Sequence, residues 1–343
     1  MHFVDWEIRE FHITKEVKVS QFTSPCHNPL LRDVFVPLCA GGTICVPDSK
    51  EMILDSDRLM EWIEKTYVSL IHCTPSLFKL INGSSLTANK YPSLKNVLLA
   101  GERTVPKDLV SWYDIIGERI QLVSLYGQTE TTLAKVFYRI KPADSMKDNI
   151  PIGKPMNGVR VAIMDSNAQL CPQGFKGEIC IRTPYRSLGY YNNVALNREK
   201  FIVNPYRDDP ADIIYRTGDL GRFLPDGNIE FLGRIDRQIK IRGFRIELNE
   251  VENAILVHGK VKEASVIAKE NSQGNTYLCA YLVLFQDNEM NEKRVLEDIR
   301  HLIAQKLPDY MIPQYLIPID RMPMNLNGKL DYKLLPEPKQ LEY

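Results

Sequence analysis

From Val17 to about Gly127, short apolar runs alternate with amphipathic stretches. That alternation predicts strands and helices in turn, the pattern of an α/β layer fold. Asp57 to Tyr67 (DRLMEWIEKTY) predicts a helix, 68–72 a buried strand, and Thr74 the cap of a helix that opens at Pro75 with PSLFKLI. NVLLA at 96–100 and IQLVSL at 120–125 predict two further strands, with a helix opening near Pro106 between them. At the start, Val4, Trp6, Ile8 and Phe11 fall on one face of a helix already under way, so the chain reads as beginning inside a domain. Ligands of such folds bind outside the carboxyl ends of the strands. The rule points to 72–74, Gly101-Glu102-Arg103 and Tyr126 to Glu130.

Beyond Pro151 the pattern changes to shorter strands with turn signals, VRVAIM, GEICIR and NIEFLG, which predicts a β-rich region of roughly 80 residues. Residues 233–252, GRIDRQIKIRGFRIELNEVE, interleave basic side chains with Ile and Phe. They predict a strand pair at a domain junction, running into a helix at 249–257. Strands ASVIAKE and TYLCAYLVLF, a helix at 291–305 and the turn 325–329 complete a third unit. The expected division is therefore 1–151, part of a large α/β subdomain; 152–235, β-rich; and 236–343, a small α+β domain across a hinge.

Charge adds little to this picture. The 343 residues hold 43 Lys plus Arg against 43 Asp plus Glu, so no global field draws the protein to nucleic acid or an anionic membrane. The seven cysteines are scattered, without metal-ligand spacing, and read as reduced thiols of a cytoplasmic protein. No apolar run approaches membrane-spanning length, and the N-terminus lacks the form of a signal peptide.

Three short motifs carry candidate chemistry. Tyr126-Gly127-Gln128-Thr129-Glu130 offers a ring for a base, a hydroxyl for phosphate and a carboxylate for Mg²⁺; alone, it reads more simply as a hydroxyl-rich helix cap. Asp219, after Gly218, could accept both hydroxyls of a ribose or merely close a turn. Lys329, at an Asn-Gly turn, could bridge a carboxylate and a phosphate, although a solvated turn lysine is the simpler account.

Six motifs in order change the weighing: YGQTETT (126–132), GEICIRTPYRSLGYY (177–191), YRTGDL (215–220), the junction at 233–252, LPDYMIP (307–313) and NGKLDY (327–332). Over nearly its whole length the chain resembles the adenylation domains of nonribosomal peptide synthetases, within the AMP-binding acyl/aryl-CoA synthetase and luciferase superfamily. The resemblance implies that ATP activates a carboxylic acid as acyl-AMP, which then passes to a phosphopantetheine thiol. A peptidyl carrier protein would supply that thiol, and both it and a condensation domain would lie elsewhere. Tyr126 would stack on adenine, Thr129 touch the α-phosphate, Glu130 hold Mg²⁺, and Asp219 with Arg234 bind the ribose. Gly101, Glu102, Ser124, Gly127, Phe231 and Lys240 would complete the nucleotide site, with Lys329 as catalytic lysine and Asp236 as hinge.

The family's acid pocket would fall at His27, Asn28, Pro29, Arg32, His72, Leu98, Ala100, Leu125 and Leu133. Amino-acid-activating members usually carry an Asp where Asn28 stands, to pair with the substrate ammonium. A neutral Asn points instead to an aryl, hydroxy or keto acid. Arg32 could face a polar group of that acid, or turn away and leave His72 a satisfied core histidine. The family's phosphate loop would lie upstream of Met1, so this polypeptide alone is expected to be weak or inactive. A free-standing acid–CoA ligase and a non-catalytic partner-binding module are the competing functions.

Overall fold

The computed structural model describes residues 1–83, 85–235, 238–271, 274–285, 291–323 and 331–338. Lys329 and Asp236, and with them the expected catalytic lysine and hinge, lie outside the described residues. The chain separates into two compact units, Met1–Ile235 and Asp236–Tyr343.

The first unit opens with α1 (His2–Glu10), β1 (Lys18–Ser20), α2 (Leu30–Ala40) and β2 (Thr43–Cys45). Next come α3 (Lys50–Leu54), α4 (Ser56–Thr66), β3 (Leu70–Cys73), α5 (Pro75–Ile81), β4 (Asn96–Ala100), α6 (Lys107–Ile116) and β5 (Gln121–Gly127). With β6 (Ala134–Arg139) and β7 (Lys154–Pro155) the strands form one sheet in the order β2-β1-β3-β4-β5-β6-β7. It is parallel from β2 to β5 and antiparallel beyond. Capping explains several boundaries. Asp55 accepts from the Arg58 amide at the start of α4, which ends at Tyr67 in a left-handed conformation, φ 57°. Thr74 accepts from the Leu77 amide ahead of Pro75.

Alternation along the central strands divides the core. Ile71, Cys73, Val97, Leu99 and Leu122 face one side, among the buried side chains of α4, α5 and α6. Leu98, Val123 and Leu125 face the other, with Phe3 and Trp6 of α1 and with Ile163, Ile179, Ile181 and Ile229. Those isoleucines belong to a second sheet built from β8 (Arg160–Met164), β9 (Gly177–Arg182), β10 (Phe201–Val203), β11 (Ile213–Phe223) and β12 (Ile229–Arg234). Its order is β10-β11-β9-β8, with β12 on β11. The β-rich reading of this region misses α7 (Val194–Lys200), whose start Asn193 caps by accepting from the Leu196 amide.

The buried face of α1 is Phe3, Val4, Trp6 and Glu7, rotated from the expected Val4, Trp6, Ile8 and Phe11 stripe. The rotation carries a carboxylate into the interior.

In the second unit, β13 (Gln238–Ile241) and β14 (Phe244–Glu247) form a hairpin. Its two-residue loop, Arg242-Gly243, has φ 51° and 82°, the paired positive values of a tight hairpin turn. Then follow α8 (Leu248–Leu256), β15 (Val261–Glu270), β16 (Thr276–Leu284), α9 (Glu292–Lys306) and β17 (Tyr315–Pro318). The last three strands make one sheet, β15-β16-β17, and its side chains share a core with Val251, Ile255, Ile299 and Ile303. Among the described residues no helix is long and apolar enough to cross a membrane.

Gly153 links the two sheets of the first unit through backbone. It bridges Ile229, has φ +100°, and a Cβ there would sit 1.8 Å from the Phe137 carbonyl oxygen. Gly153→Ala should therefore destabilise the first unit by about 2–4 kcal/mol. All three tryptophans, Trp6, Trp62 and Trp112, lie in that unit, so urea unfolding followed by their fluorescence reads it directly. An unchanged midpoint would show that the two backbones separate at no cost.

Candidate functional site

Asp219 gathers three elements of the first unit. It follows Gly218, whose φ of 74° coincides with a break in the β11–β9 register between Arg216 and Leu220. Such a bulge re-aims the side chain beside it. Glu178 on β9 holds the bulge by accepting from the Gly218 amide at 2.9 Å and pairing with Arg216 at 2.6 Å. Thr217 donates its hydroxyl to the Ile179 carbonyl and accepts from the Asp219 amide.

The carboxylate so aimed is 3% exposed and heavily used. One oxygen accepts from the Tyr126 hydroxyl at 2.6 Å and the Gln128 amide at 2.5 Å; the other accepts from Arg234 at 2.5 Å. Register explains the last pair, because Asp219 and Arg234 are direct partners across β11 and β12. Burial, and then the neighbouring carboxylate, push the Tyr126 phenol well above its usual range, so it stays a donor. Three of the roughly four acceptor positions of a carboxylate are thus taken. A diol could grip Asp219 with both hydroxyls only by displacing one of these donors.

Beyond Gln128 the chain makes a 3₁₀ turn, Thr129–Thr131, with Thr129 exposed and Glu130 buried. Glu130 accepts from the Tyr190 hydroxyl at 2.6 Å, and its carbonyl accepts from the Ser187 amide at 2.7 Å. The GEICIRTPYRSLGYY loop is therefore tied to this turn, and Tyr190 also lies 3.4 Å from the Tyr215 hydroxyl. Thr132 and Leu133 follow with φ 61° and 64°, two left-handed non-glycine residues in succession. Lys135, buried on β6, donates to the Thr132 carbonyl at 2.8 Å, and burial pulls its ammonium down to about 8. Strained backbone held from behind by a buried cation is a feature of functional loops.

The other expected nucleotide residues are spread more widely. Ser124 is half-buried on β5, Phe231 half-buried on β12, and Gly101 has φ 94°. Glu102 accepts from the Ser76 amide and hydroxyl at 2.9 and 2.6 Å, capping α5. Lys240 is opposite Arg245 in the second-unit hairpin.

Of the expected acid-pocket residues, His72, Leu98, Ala100 and Leu125 share one face of the parallel sheet. His72 is in register with Leu98, and Ala100 with Leu125. Leu133 joins the same apolar cluster, and His27, Asn28 and Pro29 form the half-buried turn that leads into α2. His72 is fully buried between two carboxylates, Nδ1 lying 3.0 Å from Asp33 and Nε2 2.6 Å from Glu7. Burial draws its pKa down, but the Glu7 charge and both hydrogen bonds outweigh that, and the net shift is upward. Arg32 is also buried, at 6% exposure, and does not turn out to solvent.

Sequence reading missed Glu7, Asp33, Glu178 and Lys135. Glu178 stood inside a quoted motif, and Lys135 interrupts an apolar run. Glu7 had no signal, since its role depends on a histidine 65 residues away.

A model of the AMP-binding enzyme family matches residues 4–191, and a model of the AMP-binding enzyme C-terminal domain matches 250–329. The chain is 39% identical over 306 residues to bacitracin synthase 1 of Bacillus licheniformis, which covers 89% of this chain and 6% of that protein. It is 34% identical over 328 residues to tyrocidine synthase 1 of Brevibacillus parabrevis, covering 96% and 28%. The chain thus spans a small part of the curated relatives it matches. Holo-PA1221, an NRPS protein containing adenylation and PCP domains, shares its fold with TM-score 0.79 and 24% identity, over 93% of this chain and 52% of that one.

Removing the imidazole would leave the buried Glu7 without its partner and Asp33 with Arg32 alone, so His72→Gln should cost about 3–5 kcal/mol. The raised pKa sets the pH dependence. The contribution is complete below about 6.5, the unfolded value, and is lost as pH rises through the higher folded value. Urea midpoints of wild type and variant between pH 6 and 9 should therefore converge with increasing pH. A gap that widens would contradict a charged His72.

Proposed function

Since the chain belongs to the AMP-binding enzyme family, we propose that it activates a carboxylic acid with ATP, as an adenylation domain of a nonribosomal peptide synthetase. The observation that carries this reading is the Asp219 hub. Donors from β5 and β12 converge there on one buried carboxylate, beside a loop offering an exposed hydroxyl at Thr129 and a carboxylate at Glu130. Nothing in apolar packing requires such a set.

In the proposed reaction an oxygen of the acid attacks the α-phosphorus of ATP, and the bond to the bridging oxygen breaks. Pyrophosphate leaves with that electron pair, and a mixed anhydride of acid and AMP remains. Asp219 accepts from the ribose and Arg234 orients it. Tyr126, fixed through its hydroxyl, presents its ring to the base, with Gly101, Glu102, Ser124, Gly127 and Phe231 around it. Thr129 bonds the α-phosphate. Lys329, Lys240 and Asp236 keep the roles that the motif order implies: charge bridge, nucleotide contact and hinge.

Glu130 fits Mg²⁺ and fits a protein-caged metal poorly. Among the described residues no group of three or more His, Cys, Asp or Glu could hold an ion, so Glu130 would act with phosphate oxygens and water. Bound there, Mg²⁺ would offset the charge that gathers as two anions meet.

The acid reading follows from Asn28, which cannot pair with an α-ammonium, and from Arg32, buried near it. We place the substrate among aryl, hydroxy or keto acids. The product would pass to the phosphopantetheine thiol of a carrier protein, in keeping with holo-PA1221, which contains adenylation and PCP domains.

Two variants test the site in the protein as it occurs naturally. Asp219→Asn should weaken AMP binding, read by calorimetry, at least about tenfold; an unaltered Kd removes Asp219 from the ribose site. Tyr190→Phe removes one donor from Glu130. It should shift the Mg²⁺ concentration for half-maximal ATP–pyrophosphate exchange by about threefold or more while the KM of the acid holds. A change confined to the acid KM would place Glu130 in the wrong site.

A further inference from the structure

The charged cluster around His72 does more than satisfy a core histidine. A neutral imidazole has one N–H, yet both ring nitrogens lie within hydrogen-bond distance of carboxylates, 2.6 Å to Glu7 and 3.0 Å to Asp33. With both carboxylates ionised, each contact is a donation from the ring, and two donations require its charged form. Asp33 is drawn towards two other donors: Oδ1 lies against His72, and Oδ2 takes the Thr23 amide at 3.1 Å. Arg32 is the loser. Its Nε is 3.6 Å from Asp33 Oδ1, beyond a hydrogen bond, and this buried nitrogen has no hydrogen-bond partner.

A desolvated guanidinium with a donor unused is costly unless something completes it. Arg32 stands near the carboxyl end of β3, since it pairs with Asp33, which lies 3.0 Å from His72 on that strand. That is the ligand end of a parallel sheet. The groups facing His72 are Glu7 from α1 and Asp33 and Arg32 from α2, with two negative charges balancing two positive ones.

We propose that Glu7 and Asp33 are positioning residues of the acid site: clamping His72 between them, they keep Asp33 off Arg32, whose free donor then selects acids with a second oxygen acceptor. The inference rests on the adenylation reading and deepens it. Its ligand class is acids bearing a keto, hydroxyl or carboxylate oxygen away from the reacting carboxyl, over apolar acids of the same shape.

Two measurements test it. Ring ¹⁵N shifts of His72 in this chain, one of six histidines, are followed from pH 5 to 9. In wild type both nitrogens should stay protonated through pH 7, with a midpoint above 6.5. The isosteric Glu7→Gln should lower that midpoint by about one unit or more, and Glu7→Asp should restore part of it. A ring that is neutral at pH 7 in wild type, or a midpoint indifferent to Glu7→Gln, overturns the clamp.

The second measurement is acid-dependent pyrophosphate exchange by the full natural polypeptide, comparing hydroxybenzoates with benzoate and the terminal keto and carboxylate analogues of butyrate with butyrate. Wild type should prefer the oxygen-bearing member of a pair, and Arg32→Met should erase that preference by at least about tenfold in kcat/KM. Glu7→Gln should reduce it through the acid KM and leave the ATP KM in place. Exchange that proceeds with the same preference in Arg32→Met overturns this proposal alone. Absence of exchange with any acid in wild type overturns the adenylation reading and the proposal with it.

Discussion

A single buried carboxylate sets the geometry of the first unit's candidate site. Asp219 joins β11 to Tyr126 and Gln128 at the end of β5 and to Arg234 on β12. Three donors within 2.6 Å of one side chain leave it little freedom. The bulge at Gly218, and Glu178 behind it, exist to bring that side chain to its point. Loss of any one donor would expose the others to an unpaired charge in a low-dielectric interior, and buried networks of this kind hold together or fail together.

How much of this was legible in the chain depended on the distance over which the relevant physics acts. The parallel strands at 96–100 and 120–125 and the helix at 57–67 came through as periodicity, because local alternation and capping decide them. Boundaries moved by a residue or two, as at Tyr67, where a left-handed cap replaces the last helical residue. The motif loops around Tyr126, Asp219 and Arg234 were visible by residue type and order. Their mutual contacts were not, because Tyr126 and Asp219 are 93 positions apart and only the folded sheets bring them together.

The missed charged side chains share one cause: contacts outside the local pattern bury them. Glu7 reads as the polar side of an amphipathic helix, and a hydrophobic-face count would put it in water. It is inside because His72 is inside, and a buried charge is tolerated only with its partner. Lys135 is buried with a backbone partner instead, its ammonium donating to the carbonyl of the left-handed Thr132. Helix α7 escaped for a different reason: it has no buried face, so its signal was the Asn193 cap alone.

The zero-sum charge of Glu7, Asp33, Arg32 and His72 has an evolutionary consequence. Exchanging Arg32 alone for a neutral residue would leave this buried set one negative charge in excess, a cost that a second change must offset. Changes at α1 and α2 must arrive together, or in an order that passes through a neutral residue at position 7. The same accounting constrains anyone moving helix α2 into a relative: without helix α1 it would carry a buried charge and leave that charge's counterweight behind.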